Sequence, residues 1–399
     1  MDVDTHPHRW RVLALLAVTE LLGMSIWFTG TAVAPALEAQ WRLDATQVGW
    51  LTALVQLGFV VGTATAAVFN LADLVPSRYY LAACASLGAL ANGILLVGDE
   101  YGVALVSRFF TGFFLAGVYP PAMKMAATWF RARRGVAIGV IVGALTIGKA
   151  LPFLIKAVAL EEIGTVVVAS SLFAVIGGAL VLTGYRDGPY PFAPRPFSWG
   201  LVGTIARIPR WRLATGSYLG HMFELYSFWA WIPAFLAASA AASGQLHNEA
   251  TLALTTFAVI AIGAAGCVWG GVAADRHGRE RVISIALASS GSCALLAGVF
   301  FGLDLPLTAM MVSVWSFFVI ADSAQFSALV TEAVPAHAVG TALTMQTCLG
   351  FFLTLISIQL VPPVVESAGW PAAFAMLALG PAAGIVAIRK LARARRAFV

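Results

Sequence analysis

Long apolar runs separated by short polar stretches dominate the pattern of positions along this chain. A helix needs about 20 mostly apolar residues to cross a bilayer, and twelve runs meet that requirement. No strand alternation of the membrane β-barrel type is present. The pattern therefore predicts an all-α integral membrane protein with twelve transmembrane helices. Helices 1 to 12 are predicted over 11–36, 46–71, 79–98, 102–128, 135–157, 163–184, 212–239, 250–273, 281–302, 307–332, 339–362 and 371–392.

A polar, proline-rich stretch from Tyr185 to Arg210 separates the first six runs from the last six. Two equal sets of six helices suggest an internal repeat. We therefore predict an N-terminal six-helix bundle over residues 1–185, a linker over 186–210 and a C-terminal six-helix bundle over 211–399.

The distribution of Lys and Arg predicts the orientation. With the N-terminus in the cytoplasm, 19 of the 24 basic residues fall in cytoplasmic segments, and Arg42 and Lys156 fall in outer loops. The remaining three, Arg108, Lys124 and Lys149, lie inside predicted helices. This split obeys the positive-inside rule. We expect both termini and the linker in the cytoplasm, and a multi-pass protein of the bacterial inner membrane.

The composition excludes a soluble protein. Hydrophobic residues make up 60% of the chain and charged residues 11%, against about 25% charged in soluble domains. The basic residues lie between apolar runs, which argues against a nucleic-acid partner. The four cysteines lie inside apolar runs and form no disulfide framework or metal spacing. The first run is too long for a signal peptide and carries Glu20, so it is predicted to be a spanning helix.

The loop after predicted helix 8 carries the most specific motif. It contains Gly271, Asp275, Arg276, Gly278 and Arg279 in the spacing G-x-x-x-D-R-x-G-R. This resembles the loop signature of the major facilitator superfamily. The acid near a helix end can accept hydrogen bonds from a neighbouring helix N-terminus, and the arginines can pair with acids or lipid phosphate. We expect a gating role, and the alternative is a tight turn with topology-setting charge.

Weaker matches support the same resemblance. The loop after helix 2 keeps Asp73 and Arg78 but neither glycine, and Arg108 with Gly112 resembles the family's R-x-x-x-G motif. Helix 5 is rich in glycine but lacks the characteristic Gly-Pro pair. The resemblance implies the superfamily fold, secondary transport by alternating access, and a central cavity lined by helices 1, 4, 7 and 10.

Ionisable groups inside spanning helices are costly, so each is a functional candidate. Helical spacing also places a tryptophan two turns from several of them on one face. A cavity lined this way would bind a solute that is partly charged and partly apolar. Lys124 lies nearer a helix end and is a weaker candidate. The predicted substrate- and proton-binding residues are Glu20, Trp27, Arg108, Lys149, His221, Glu224, Trp231, Trp315 and Asp322.

Several of these residues have a second interpretation. Glu20 either carries a proton or neutralises Arg108 or Lys149. Arg108 is either functional or a structural ion-pair partner. His221 and Glu224, three residues apart, either relay protons or form a hydrogen-bonded pair that fixes helix 7. Too few ligands accompany them for a metal site.

The coupled proton is expected on Glu224 or Asp322. Burial favours the neutral form of a carboxylic acid, and no Lys or Arg lies inside a spanning helix of the C-terminal half. Glu20 is the weaker candidate because Arg108 and Lys149 lie in its own half.

The sequence therefore favours a proton-coupled secondary transporter. Three buried cations favour a small organic or inorganic anion as substrate. A drug/proton antiporter is the alternative, because the aromatics and Glu20 would suit a cation. An integral membrane lipid-modifying enzyme is a distant third, since no catalytic or nucleotide-binding motif is present. We expect a monomer without a cofactor, whose partners are the substrate, protons and membrane lipids.

Overall fold

A computed structural model describes residues 6–98, 100–130, 134–159, 162–190, 197–245 and 247–396, and this part contains helices and no strand. The side chain of Asp73 lies outside the described structure. Ten helical stretches are long and apolar enough to span a membrane before residue 336. They are α1 (Arg9–Trp41), α2 (Ala45–Val68), α3 (Ser77–Leu96), α4 (Tyr101–Ala127), α5 (Gly135–Val158), α6 (Ile163–Gly184), α7 (Pro209–Ala242), α8 (Glu249–His277), α9 (Arg279–Phe300) and α10 (Leu305–Ala333).

The last apolar stretch, Ala336–Ala394, is 59 residues long. At 1.5 Å per residue it would reach about 88 Å, far beyond a hydrocarbon core of about 30 Å. It contains a break at Gly369, whose φ of 81° and ψ of 172° are not helical. We call the helix from Val339 to this break α11 and the part after it, ending at Arg396, α12. The eleven apolar stretches therefore contain the twelve predicted helices, because the last stretch holds two of them.

Helix contacts follow the same scheme in both halves. In the first half, α1 packs on α5 and α6, α2 on α4, and α3 on α4 and α6. In the second half, α7 packs on α11 and α12, α8 on α10, and α9 on α10 and α12. The halves meet through α2 against α11 and α5 against α8. This correspondence is what an internal repeat of six helices requires.

Close backbone contacts hold equivalent helix pairs together. A side chain at Gly58 in α2 would overlap the carbonyl oxygen of Phe109 in α4. A side chain at Gly266 in α8 would likewise overlap the carbonyl oxygen of Phe317 in α10. Small residues at such positions let helix backbones approach closely, which is the main packing device in lipid.

Several spanning helices are interrupted near mid-depth, and the interruptions in α1 and α10 bear on the site. In α1 a 3-10 turn, Met24–Ile26, precedes Trp27, and the helix resumes at Thr29. In α10 the helix ends at Ala321 and resumes at Ser323, with Asp322 between. Interrupted backbone inside a membrane protein is tolerated where protein groups satisfy it or where it lines a cavity. Both cases occur here.

Candidate substrate-binding site

A cavity of about 640 Å³ lies between the two halves. It reaches from Trp27 and Lys149, in the middle of their helices, to Asn70, Arg279 and Glu332 at helix ends. Those ends lie on the side of the molecule that carries the linker, which we call the linker side. Helices α1, α4, α7 and α10 line the cavity as the resemblance implied, and α2, α5 and α11 line it as well.

Lys149 of α5 lies at the deep end of the cavity and is fully buried. Its Nζ donates a hydrogen bond to Tyr226 Oη at 2.6 Å. The same Nζ lies 3.7 Å from the ring centroid of Trp27 and 4.9 Å from that of Trp229. Cation–π contacts of this length stabilise a desolvated ammonium group. Lys149 is thus held by aromatic side chains from both halves of the molecule.

Five aromatic side chains form the wall around Lys149, and we call them the aromatic box. Neighbouring ring centroids are 4.4 to 5.9 Å apart, within the range of favourable aromatic pairs. The aromatic box consists of Trp27, Phe59, Tyr226, Trp229 and Phe351, all of which line the cavity.

The polar atoms of this deep end are mostly donors. An ammonium group has three N–H donors, and Tyr226 is the hydrogen-bond acceptor that the described residues offer Lys149. The buried indole Nε1 atoms of Trp27 and Trp229 have no acceptor among the described residues. Buried donors of this kind normally have partners. The site therefore suits a ligand that brings acceptors.

Charged side chains along the cavity divide by depth. Lys149 is at the deep end, and Lys124 lies one turn from the linker-side end of α4. Asp275, Arg279 and Glu332 line the mouth, where Arg279 Nη1 and Glu332 Oε1 form an ion pair. Within the described structure, the deep end is lined by Lys149 and by no acidic residue.

Glu20 of α1 is fully buried but does not line this cavity. It interacts electrostatically with Lys149. Neither carboxylate oxygen has a hydrogen-bond partner among the described residues. An acid in this setting can neutralise Lys149 when ionised or hold a proton when it is not, so both interpretations remain open.

Arg108 of α4 is also fully buried and turns away from the cavity. Its Nη1 donates to Asn92 Oδ1 at 2.6 Å, and its Nη2 donates to the carbonyl oxygens of Ile26 and Trp27 at 2.9 and 2.8 Å. Those carbonyls belong to the interruption in α1. Arg108 thus supplies the hydrogen bonds that the broken helix has lost, which favours its structural interpretation.

In the second half, the ionisable side chains do not pair as their spacing along the helices suggested. His221 Nδ1 lies 2.9 Å from Asp322 Oδ1, both buried, so a direct His221–Glu224 pair is corrected to a His221–Asp322 pair. Glu224 instead accepts hydrogen bonds from Ser290 Oγ and Trp315 Nε1, each at 2.8 Å. Asp322 therefore does have a neighbour that becomes cationic on protonation, contrary to the expectation from Lys and Arg alone. None of these residues lines the cavity.

Two predicted tryptophans lie away from the cavity as well. Trp315 is fully buried and packs on Phe228 while it donates to Glu224. Trp231 donates from Nε1 to the carbonyl oxygen of Ile358 at 2.9 Å, which joins α7 to α11. Of the nine predicted substrate- and proton-binding residues, only Trp27 and Lys149 line the described cavity.

The motif loop after α8 contacts the first half on the linker side. A Cβ atom added to Gly135, in the first turn of α5, would lie 2.7 Å from Asp275 Oδ1. A Cβ atom at Gly271 would lie 2.8 Å from the carbonyl oxygen of Gly135. The Asp275 carboxylate thus lies against the N-terminal end of α5, where a negative charge is favoured. Gly278 joins α8 to α9 with a φ of 85°, a conformation that favours glycine.

The remaining motif residues with described side chains are Arg276 and Arg78. Arg276 is exposed. Arg78, in the first turn of α3, is half-buried and donates to the hydroxyl of Tyr79 at 3.0 Å.

Contacts between the halves also exist on the side opposite the linker. Lys156 Nζ, near the end of α5, lies 3.0 Å from Glu249 Oε2 at the start of α8. Gly49 of α2 packs on Gln359 and Trp231, since a Cβ atom there would lie 3.1 and 3.2 Å from them. The cavity therefore has contacts between the halves on both of its sides.

The sequence interpretation missed most of the aromatic box. On α7 it selected the stripe of His221, Glu224 and Trp231, whereas the cavity is lined by Tyr218, Met222, Leu225, Tyr226 and Trp229. That second stripe also has helical spacing. It contains no charge and so reads as ordinary packing, although its three aromatics with polar atoms, Tyr218, Tyr226 and Trp229, were a usable signal.

The family model described as Major Facilitator Superfamily matches residues 15–357, which is most of the chain. No curated protein matches it significantly.

Proposed function

The chain belongs to the Major Facilitator Superfamily and is therefore a secondary transporter, and we propose that it carries a small anion, coupled to protons, by alternating access. The proposal places the linker side in the cytoplasm of a bacterial cell, in agreement with the positive-inside count. A monomer with one central site suffices for this mechanism.

Lys149 is the observation that carries the anion proposal. It is the charged group at the deep end of the cavity, and it is fully buried there. Around it, the indole nitrogens of Trp27 and Trp229 are further donors without acceptors among the described residues. Donor groups in a water-poor site stabilise negative charge and oppose positive charge. An anion that enters from the linker side would meet increasing numbers of donors as it approaches Lys149.

Alternating access requires that contacts on one side of the cavity separate while those on the other hold. Asp275 against Gly135 is the linker-side contact, and Lys156 with Glu249 is the contact on the opposite side. Both join α5 to α8. We propose that these two contacts are the gates, and that each breaks when the cavity opens to its own side.

Proton coupling is proposed on Glu224 or Asp322. Both are buried and lie at or near the middle of α7 and α10. Glu224 accepts hydrogen bonds from Ser290 and Trp315, and Asp322 lies in an ion-pair contact with His221. Ser323 beside Asp322 and Leu225 beside Glu224 both line the cavity, so each acid is one residue away from the solute path.

A drug/proton antiporter is the second candidate. The aromatic box would suit a flat organic cation. The buried carboxylate oxygens of Glu20 have no hydrogen-bond partner among the described residues, and the carboxylate interacts electrostatically with Lys149. In that case the cation would displace the Lys149 ammonium from the rings. The two candidates differ in the sign of the solute's charge.

The test is a binding screen of the purified protein in detergent at pH 6 and pH 8. Thermal shift is measured with acetate, benzoate, nitrate and lactate as anions, and with benzylamine and tetraphenylphosphonium as cations. The proposal predicts stabilisation by at least one anion, lost in Lys149→Gln and kept in Lys390→Gln, which changes an exposed lysine near the end of α12. Stabilisation by cations alone would favour the antiporter.

A further inference from the structure

We infer that the transported anion is a monocarboxylate with a flat aromatic body, bound with its carboxylate at Lys149 and its ring on the aromatic box. This inference rests on the proposed function, since it assumes an anion in the cavity. It adds the number of charges and the chemistry of the uncharged part.

The separation of Lys124 and Lys149 along the cavity supports a ligand with a single negative charge. Lys149 lies 14 residues beyond Gly135 at the linker-side end of α5, and Lys124 lies three residues before Ala127 at the linker-side end of α4. At 1.5 Å per residue the two lysines differ in depth by about 16 Å. A compact ligand held at Lys149 on the aromatic box would therefore lie on the deep side of Lys124. Within the described structure, Lys149 is the cation that contacts the aromatic box.

The donors at the deep end fit a carboxylate. Two of the three N–H groups of Lys149 remain after its bond to Tyr226, and the Tyr226 hydroxyl, which accepts that bond, keeps its own proton to donate. Carboxylate oxygens accept several hydrogen bonds each. One carboxylate can therefore satisfy the ammonium group and the neighbouring hydroxyl together.

The rest of the wall fits a flat apolar body. Phe59 and Phe351 carry no polar side-chain atom, and their ring centroids are 4.4 Å apart. Trp27 and Trp229 add large ring surfaces. A small inorganic anion would use only the donors of this wall, whereas an aromatic ring can also pack against its rings in offset or edge-to-face geometry. A volume of about 640 Å³ also lies within the range of organic-ligand pockets.

The test is isothermal titration of the full chain in detergent with benzoate, cyclohexanecarboxylate, acetate, nitrate, benzamide and benzylamine. We expect benzoate to bind at least about tenfold more tightly than acetate or nitrate, because burial of the ring adds apolar contact. Benzamide, which has the ring but no charge, should bind at least about tenfold more weakly than benzoate. Cyclohexanecarboxylate should fall between benzoate and acetate.

Single-residue variants test the contributions of the ligand's charge and of its ring separately. Lys149→Gln should weaken benzoate at least about tenfold, and Lys390→Gln, at an exposed lysine near the end of α12, should leave it unchanged. Trp229→Leu should bring benzoate towards acetate while acetate itself changes little, and Phe59→Leu repeats this test on a second wall should Trp229→Leu fail to fold. Each variant's melting temperature is recorded alongside.

The outcomes distinguish this inference from the proposed function. If acetate or nitrate binds as tightly as benzoate and depends on Lys149, the aromatic inference is overturned and the anion proposal stands. If benzylamine binds and no anion does, both are overturned. A folded protein that binds no benzoate overturns the inference.

Discussion

Replacement of Arg108 by lysine tests whether a buried cation is structural or ligand-binding. The guanidinium group makes hydrogen bonds in two directions, to Asn92 on one side and to the Ile26 and Trp27 carbonyls on the other. A lysine ammonium keeps the charge but cannot span both directions. A hydrogen bond to a charged group contributes about 1.5–3 kcal/mol. With one or two such bonds lost, we expect Arg108→Lys to cost about 2–4 kcal/mol of stability.

The assay is the melting temperature of the purified variant in detergent, followed by titration with benzoate. We expect the melting temperature to fall by several degrees, while benzoate affinity measured well below it stays within about threefold of wild type. Arg276→Lys is the control, because Arg276 is exposed and the same substitution there should leave the melting temperature unchanged. A variant that melts like wild type yet no longer binds anion would refute the structural role of Arg108.

Three further predictions address gating, coupling and orientation. Asp275→Asn should reduce transport per expressed protein more than Asp73→Asn, because the motif is intact only in the loop of Asp275; the opposite ranking would show that motif quality does not follow function. Glu224→Gln or Asp322→Asn should abolish accumulation driven by a pH gradient in proteoliposomes yet leave exchange at equal concentrations largely intact. If both variants still accumulate substrate and Glu20→Gln does not, the coupled proton belongs to the first half. A single cysteine at Ser198 in the linker of an otherwise cysteine-free variant should not react with a membrane-impermeant label in intact cells. Labelling from outside would contradict the predicted orientation.

The fold could be predicted from the sequence because each spanning helix is a local signal. An apolar run of sufficient length must be a helix in lipid, where every backbone polar group needs an internal partner. Gly369 is an example at the C-terminal end. Its positive φ separates α11 from α12, and it lies between the predicted end of helix 11 at 362 and the predicted start of helix 12 at 371.

The site could be predicted only in part, because it depends on how each helix is rotated about its axis. Lys149 was identifiable as a charge in an apolar run, but its partner Tyr226 is 77 residues away on α7. The partner of His221 is likewise on another helix, at Asp322, rather than three residues along its own. Arg108 matched a family motif, but its bonds to the α1 carbonyls follow from a helix break that no local pattern indicates.

The most direct test of the central claim is anion exchange in proteoliposomes at pH 8, where passive diffusion of neutral acids is slowest. Liposomes preloaded with unlabelled benzoate receive labelled benzoate outside, and uptake beyond protein-free liposomes is measured for wild type, Lys149→Gln and the surface control Lys390→Gln. The same protocol is run with acetate and with benzylamine. We predict exchange of an anion by wild type and Lys390→Gln, and none by Lys149→Gln. Exchange of benzylamine without exchange of either anion, or anion exchange that survives Lys149→Gln, would contradict an anion site at Lys149.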